Sequence, residues 1–263
     1  MNIFFTDLDG TLLDHDTYSL DDSFEGVELL KKAGIPLVPV TSKTFDEVCE
    51  LMDFLDLKSP FVFENGAGMG IYSEKSGYEY ILQSPGIGFL KGLIPLVSKF
   101  FSSNINILNF VSPEKFSALS GLGLESSRLA LKRKGSLLFL PAKKAEVDMD
   151  MLEELNMTLS SYGAKVTKGG RFYHLIPIDC GKDYGIRKTI EFYKNNKKTI
   201  GATGAVGDTY NDIPMLKEVD YPYIVKKIDE TWIDTKLKVI RIKGTGPLGF
   251  TEAVKDFLIR VSG

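Results

Sequence analysis

The chain has 263 residues, 43% hydrophobic and 25% charged, with a net charge of −3. That is an ordinary globular composition, long enough for one large α/β domain or a core with a smaller second domain. The lack of a basic excess argues against nucleic acid as a partner, and no apolar stretch is long enough to span a bilayer.

Ile3-Phe4-Phe5 is an apolar run of the kind that forms a fully buried strand. It ends at Asp7-Leu8-Asp9-Gly10, where Gly10 allows a sharp turn. Ser19 is expected to cap a helix carrying Phe24, Val27 and Leu30, with Gly34 at its end. Residues 35–40 predict a second parallel strand, stopping at Thr41-Ser42-Lys43-Thr44. Thr44 and Glu47 have the spacing of a capping box, opening a helix with Val48, Leu51, Met52 and Leu55 on one face. Residues 60–63 predict a third strand before Glu64-Asn65-Gly66. Residues 84–171 are less regular and rich in Ser, Gly and Lys, and read as an inserted α+β domain. Alternation then returns: a helix over 184–194, a short strand at Ala205-Val206 ending in Gly207-Asp208, strands over 223–225 and 239–242, and a last helix with Ala253, Val254, Phe257 and Leu258. The expected architecture is α/β, a doubly wound parallel-sheet core split by the insertion: residues 1–83 and 172–263 form the core and residues 84–171 the second domain.

Cys49 and Cys180 lack metal-like spacing and are expected to be buried thiols in a reducing compartment. With no basic-then-apolar leader, a cytoplasmic location is expected. Cys49, Cys180, Trp232 and His15 are assigned structural roles. The sequence sets no oligomeric state.

In doubly wound sheets, ligands bind beyond the carboxyl ends of the strands. Asp7-Leu8-Asp9, Thr41-Ser42, Asn65-Gly66 and Gly207-Asp208 with Asn211-Asp212 all follow expected strands, and Lys182 precedes a helix. If those strands are neighbours, the clusters converge. Asp7 and Asp9, two apart, share one side of the chain. Crowded carboxylates repel, which is tolerated where a cation or a reaction uses them; the alternative is a turn rich in Asp. The set suits phosphate-ester hydrolysis. Mg²⁺ prefers oxygen ligands, and Asp7 and Asp208 can supply them. With the phosphate charge screened, a carboxylate could attack phosphorus. Asp9 could protonate the leaving oxygen and later accept a proton from water. Thr41 and Lys182 would hold the remaining phosphoryl oxygens.

Asp7-x-Asp9-Gly-Thr, the strand ending in Thr41, Lys182 before a helix and Gly207-Asp208-x-x-Asn211-Asp212 together resemble the four motifs of haloacid dehalogenase (HAD)-type phosphatases. The resemblance implies a HAD/Rossmann-like core and a phosphoric monoester hydrolase that uses Mg²⁺. It implies Asp7 as nucleophile and metal ligand, and Asp9 as general acid/base that also binds the metal through its main-chain carbonyl. It implies Asp208 as the third metal ligand, with Asn211 and Asp212 orienting the site from behind or through water. The insertion resembles the α+β cap of the Cof-type branch. Within that branch, residues 5–18, 40–44, 64–67, 169–174 and 246–250 resemble mannosyl-3-phosphoglycerate phosphatases. This implies a small phosphorylated sugar substrate, mannosyl-3-phosphoglycerate, cleaved to phosphate and the compatible solute mannosylglycerate. A Ser-Glu-Pro-like cap element is expected there; this chain has Ser136-Leu137-Leu138, a departure that bears on sugar recognition rather than on the chemistry.

Other residues keep two readings each. Ser42 and Lys43 either touch substrate or lead into the capping box. Asn65 touches substrate or shapes a turn. Arg171 and His174 are candidates for the glycerate carboxylate or sugar hydroxyls, or lie on a solvated surface. The basic run Arg128, Lys132, Arg133 and Lys134 attracts an anionic substrate or is a solvated helix face. Two rivals are a phosphomutase, which could use the same aspartyl-phosphate, and a non-catalytic sugar-phosphate sensor, which could keep the fold but would have little reason to keep Asp7, Asp9, Asp208 and Lys182 together.

Overall fold

The computed structural model describes residues 1–101, 105–141, 149–169 and 171–262. Among these, the strands are β1 Ile3–Thr6, β2 Leu37–Pro39, β3 Phe61–Phe63, β4 Gly68–Ser73, β5 Gly77–Leu82, β6 Ile105–Ile107, β7 Leu137–Pro141, β8 Ala164–Lys168, β9 Tyr173–Pro177, β10 Thr203–Gly207, β11 Tyr221–Lys226 and β12 Ile240–Thr245. The helices are α1 Phe24–Lys32, α2 Phe45–Phe54, α3 Ile87–Lys91, α4 Ile94–Phe100, α5 Pro113–Ser120, α6 Leu124–Ala130, α7 Met149–Ser160, α8 Lys182–Asn195, α9 Ile213–Leu216 and α10 Gly246–Ser262. None of them is long and apolar enough to cross a membrane.

The described residues form two compact units: residues 1–41, 57–62 and 182–263, and residues 42–56 and 63–181. In the first unit, a five-stranded sheet runs in the order β12-β11-β10-β1-β2, and every neighbouring pair is parallel. Strand alternation sends successive side chains of β1 to opposite faces. Ile3 and Phe5 join Val38, Ala205, Ile186, Met215 and Leu216, which covers one face with α8 and α9. Phe4 points the other way, against Phe250 and Phe257 of α10. Gly26 of α1 also approaches Phe250. Helices therefore cover both faces, and the fold is a doubly wound α/β core.

In the second unit, an antiparallel sheet runs in the order β6-β7-β9-β8. Leu137 and Phe139 of β7 pack with Leu90, Val97, Leu155 and Leu159 from α3, α4 and α7. Leu138, between them in sequence, joins Leu108, Phe116 and Ala130 on the opposite side. The stretch expected as the insertion, 84–171, lies inside this unit. The unit also takes in α2, β9 and the hairpin β4–β5, whose register runs from Gly68↔Leu82 to Ser73↔Gly77.

Two local expectations are corrected. Helix α1 begins after Ser23, not after Ser19. The Ser19 hydroxyl instead accepts the Asp21 N–H in a turn four residues upstream, and Ser23 Oγ donates to Leu20 O. The basic run is a solvated face only in part: Arg128 on α6 and Lys132 are exposed, and Arg133 departs from that reading. Helix α6 ends at Ala130, and Arg133 is buried. Gly170, part of one family-like stretch, lies outside the described residues.

Candidate active site

The sheet order sets the site. β1 lies between β10 and β2, so the residues following all three emerge at one edge. Asp7 follows β1 directly, and its N–H donates to Val206 O on β10 at 3.0 Å. Asp208 follows β10, and Thr41 comes two residues after β2, buried, with its N–H donating to Val62 O.

Asp7, Asp208 and Asp212 present carboxylate oxygens that all lie within 4.8 Å of one another, and all three residues are buried. Lys182, the first residue of α8 and 3% exposed, reaches into this group. Its Nζ donates to Asp7 Oδ1 at 2.5 Å and to Asp212 Oδ1 at 2.6 Å. The other Asp212 oxygen accepts the N–H of Asp208 and both the N–H and the hydroxyl of Thr209. Both Asp212 oxygens are thus held by protein donors. Asp208 receives a long bond from the Thr11 hydroxyl, 3.4 Å. Gly10, at φ +81°, carries the chain past it: a Cβ there would stand 2.7 Å from Asp208 Oδ2. Only glycine takes that conformation and that approach together without cost.

The electrostatics follow from three acids and one base out of water. Burial pushes the Asp7 carboxyl up to about 7, with the Asp212 charge adding to the rise and Lys182 opposing it. Asp9 also adds to it, so its carboxylate lies close enough for Asp7 to feel. Burial, then Asp212 and Asp7, raise Asp208 well above the usual carboxylate range. Burial works against the Lys182 charge, but Asp212 and Asp7 outweigh it and hold the ammonium above its ordinary value. The group therefore has an excess of negative charge in a desolvated place. An all-oxygen donor set with that excess fits a hard divalent cation such as Mg²⁺. The grouping of three includes Asp212 and not the Asp9 carboxylate. Asp9 and Asn211 are partly exposed.

The remaining candidates belong to the second unit. Ser42 and Lys43 are partly buried, and Lys43 Nζ lies 3.7 Å from Glu47 Oε1 at the start of α2. Asn65 is buried, Arg171 is exposed, and His174 is buried on β9. A solvated position is thus excluded for His174 and observed for Arg171.

Sequence reasoning missed the surroundings of Asn65. Glu64 is fully buried, and its carboxylate accepts the N–H groups of Lys134 (2.7 Å) and Gly135 (3.0 Å) and the hydroxyl of Ser136 (2.7 Å). Arg133 Nε lies 3.8 Å from the same carboxylate and donates to Ser136 Oγ at 2.9 Å. Glu64, Asn65 and Gly66 have φ of +49°, +53° and +85°. Left-handed backbone costs a non-glycine residue about 1–2 kcal/mol, so this loop is held by its contacts. The signal in sequence was slight: a lone acid directly after an apolar strand run.

Comparison with known proteins agrees with the fold. A family model described as haloacid dehalogenase-like hydrolase matches residues 4–85 and 125–240. The chain belongs to the haloacid dehalogenase-like hydrolases. Two relatives are 33% identical: a glucosyl-3-phosphoglycerate/mannosyl-3-phosphoglycerate phosphatase of Methanococcoides burtonii, over 98% of this chain and 97% of its own, and a protein of the same name from Persephonella marina, over 96% and 95%. A solved structure from Thermoplasma acidophilum superposes with a TM-score of 0.69 at 18% identity, covering 98% of this chain and 99% of that one, and shares the fold. In this haloacid dehalogenase-like hydrolase, the matched segments contain Asp7, Thr41, Lys182 and Asp208.

Proposed function

We propose that this chain is a Mg²⁺-dependent phosphatase that hydrolyses mannosyl-3-phosphoglycerate to mannosylglycerate and phosphate through an aspartyl-phosphate. That it is a phosphoric monoester hydrolase follows from its family together with the activity named for two relatives of nearly equal length. The observation that carries the mechanism is the buried group of Asp7, Asp208 and Asp212 around Lys182.

In this reading, a carboxylate oxygen of Asp7 attacks phosphorus, and the bond from phosphorus to the glycerate oxygen breaks. Asp9 gives its proton to that leaving oxygen. Asp9 then takes a proton from water as the water oxygen attacks phosphorus, which frees Asp7 and inorganic phosphate. Lys182 opposes protonation of Asp7 and, with Thr41, holds phosphoryl oxygens as charge develops. The carboxylates of Asp7 and Asp208 and the main-chain carbonyl of Asp9 would hold Mg²⁺, while Asn211 and Asp212 steady the ligands. When bound, the ion neutralises phosphoryl charge that would otherwise repel the nucleophile. Ser42, Lys43, Asn65, Arg171 and His174 are proposed to contact the sugar and glycerate. Residues 84–171 are proposed to act as the cap, and the reaction to take place in the cytoplasm.

The test is a side-by-side assay of mannosyl- and glucosyl-3-phosphoglycerate with common hexose phosphates. Preference for the mannosyl compound, with phosphate released and no isomeric sugar phosphate formed, is expected. A profile that favours neither glycosylated compound sinks the narrow assignment. Asp7→Asn should fold as the parent and release no phosphate; turnover in that variant refutes attack by Asp7.

A further inference from the structure

Arg133 was expected at the surface and lies inside, where its groups meet two loops of the second unit. Its Nη2 donates to Ser42 O at 2.6 Å. Its Nε bonds Ser136, which in turn donates to Glu64. The Glu64 N–H donates to Lys43 O at 2.8 Å. One buried cation and one buried carboxylate therefore tie together 42–43, 64–66 and 133–136. The 64–66 loop also lies against Gly181: a Cβ on Gly66 would stand 2.2 Å from Gly181 O, closer than any atom tolerates. Ser42 is the residue after Thr41, and Gly181 is the residue before Lys182.

We infer that Arg133 and Glu64 are a positioning pair, fixing the main chain that leads into Thr41 and Lys182 and thereby the grip on the transferred phosphoryl group. The inference rests on the proposed role of Thr41 and Lys182. Neither Arg133 nor Glu64 needs to touch substrate. The pair acts through main-chain carbonyls and N–H groups, whose placement transmits directly to the next residue because the peptide unit is rigid. Arginine is suited to this because its planar fork serves the Ser42 carbonyl and the Ser136 hydroxyl in fixed directions with Glu64 close by, where a lysine ammonium is a flexible point charge. The arrangement also accounts for Ser136. Its hydroxyl accepts from Arg133 and donates to Glu64, while Leu137 and Leu138 are core side chains of β7.

The test uses the full chain with mannosyl-3-phosphoglycerate, p-nitrophenyl phosphate and inorganic phosphate as a competing product. Arg133→Lys keeps the charge and loses the fork. Its kcat should fall about 10- to 100-fold on both esters, as misplacement of a catalytic group by about an ångström does. Inhibition by inorganic phosphate should weaken in parallel, per folded molecule. Ser136→Ala should move both readouts in the same direction by a smaller factor, and it decides the matter if Arg133→Lys does not fold. Lys132→Met, which loses only a surface pair with Asp46, should behave as the parent. Folded Arg133→Lys and Ser136→Ala with kcat and phosphate inhibition within twofold of the parent would overturn the inference, as would activity losses that match the unfolded fraction alone. Lys182→Met separates the two levels. If that variant is inactive and Arg133→Lys is unaffected, only the positioning role fails; if Lys182→Met is itself fully active, the reading of the site fails first.

Discussion

Lys182 carries a heavy share of the site's electrostatics. Its ammonium bonds both Asp7 and Asp212, and it opposes the rise that burial imposes on Asp7. Lys182→Met leaves three crowded carboxylates without that partner and removes a donor from the proposed phosphoryl site. The expected result is a kcat lower by about two to three orders of magnitude at saturating Mg²⁺, the usual scale for deleting a preorganised donor. A decrease of less than tenfold in the folded variant would contradict the role given to this residue. Much of this was legible in the sequence, because a residue directly after a buried strand has a fixed place in the fold. Asp7, Thr41 and Asp208 follow three neighbouring strands, and Lys182 opens a helix packed on the same sheet. The Glu64–Arg133 pair was not legible. Its members are far apart in sequence, and a run of Arg and Lys carries no mark of which one turns inward.

At the scale of elements, local chemistry settled some boundaries and misled at others. The Thr44–Glu47 capping box formed as its spacing predicts. Thr44 Oγ1 accepts the Glu47 N–H, and Glu47 Oε2 accepts the Thr44 N–H. Thr44 Oγ1 also donates to Leu129 O, a contact within the second unit that no local pattern encodes. Thr44→Ala should therefore cost about 1–2 kcal/mol, at the upper end of the range for a lost cap, read from denaturant unfolding. A change below about 0.3 kcal/mol would mean that solvent replaces both bonds. Ser19 shows the opposite outcome. Serine caps turns as readily as helices, and a turn built around Asp14, whose Oδ1 accepts the N–H groups of Asp16 and Thr17, used the preceding residues first. The β4–β5 hairpin escaped notice because its outer strand is largely exposed and lacks the apolar alternation that marks a half-buried strand.

For the whole molecule, the acidic group predicts how stability responds to pH and to metal. The Asp7 carboxyl sits near 7 when folded, against an ordinary 3.8, and Asp208 is raised as well. The native state therefore binds more protons than the unfolded state between about pH 4 and 7. Linkage then makes the metal-free protein gain stability as pH falls through that window. Asp14, lowered by its bonds from Thr17, and Asp256, lowered by Arg260, act oppositely and withdraw their contribution only at still lower pH. In chelator, the unfolding midpoint should be higher at about pH 5.5 than at about pH 8. Mg²⁺ should raise it more at the higher pH, because the ion competes with protons for the same oxygens. A midpoint in chelator that climbs steadily to pH 8, with no response to Mg²⁺, would contradict this picture of the site. The path of the backbone has a separate consequence for anyone dissecting the enzyme. The polypeptide passes from one unit to the other after residues 41, 56, 62 and 181. No single proteolytic cut or truncation separates them, and excising either as an independent piece requires several new junctions, two of them beside Thr41 and Lys182.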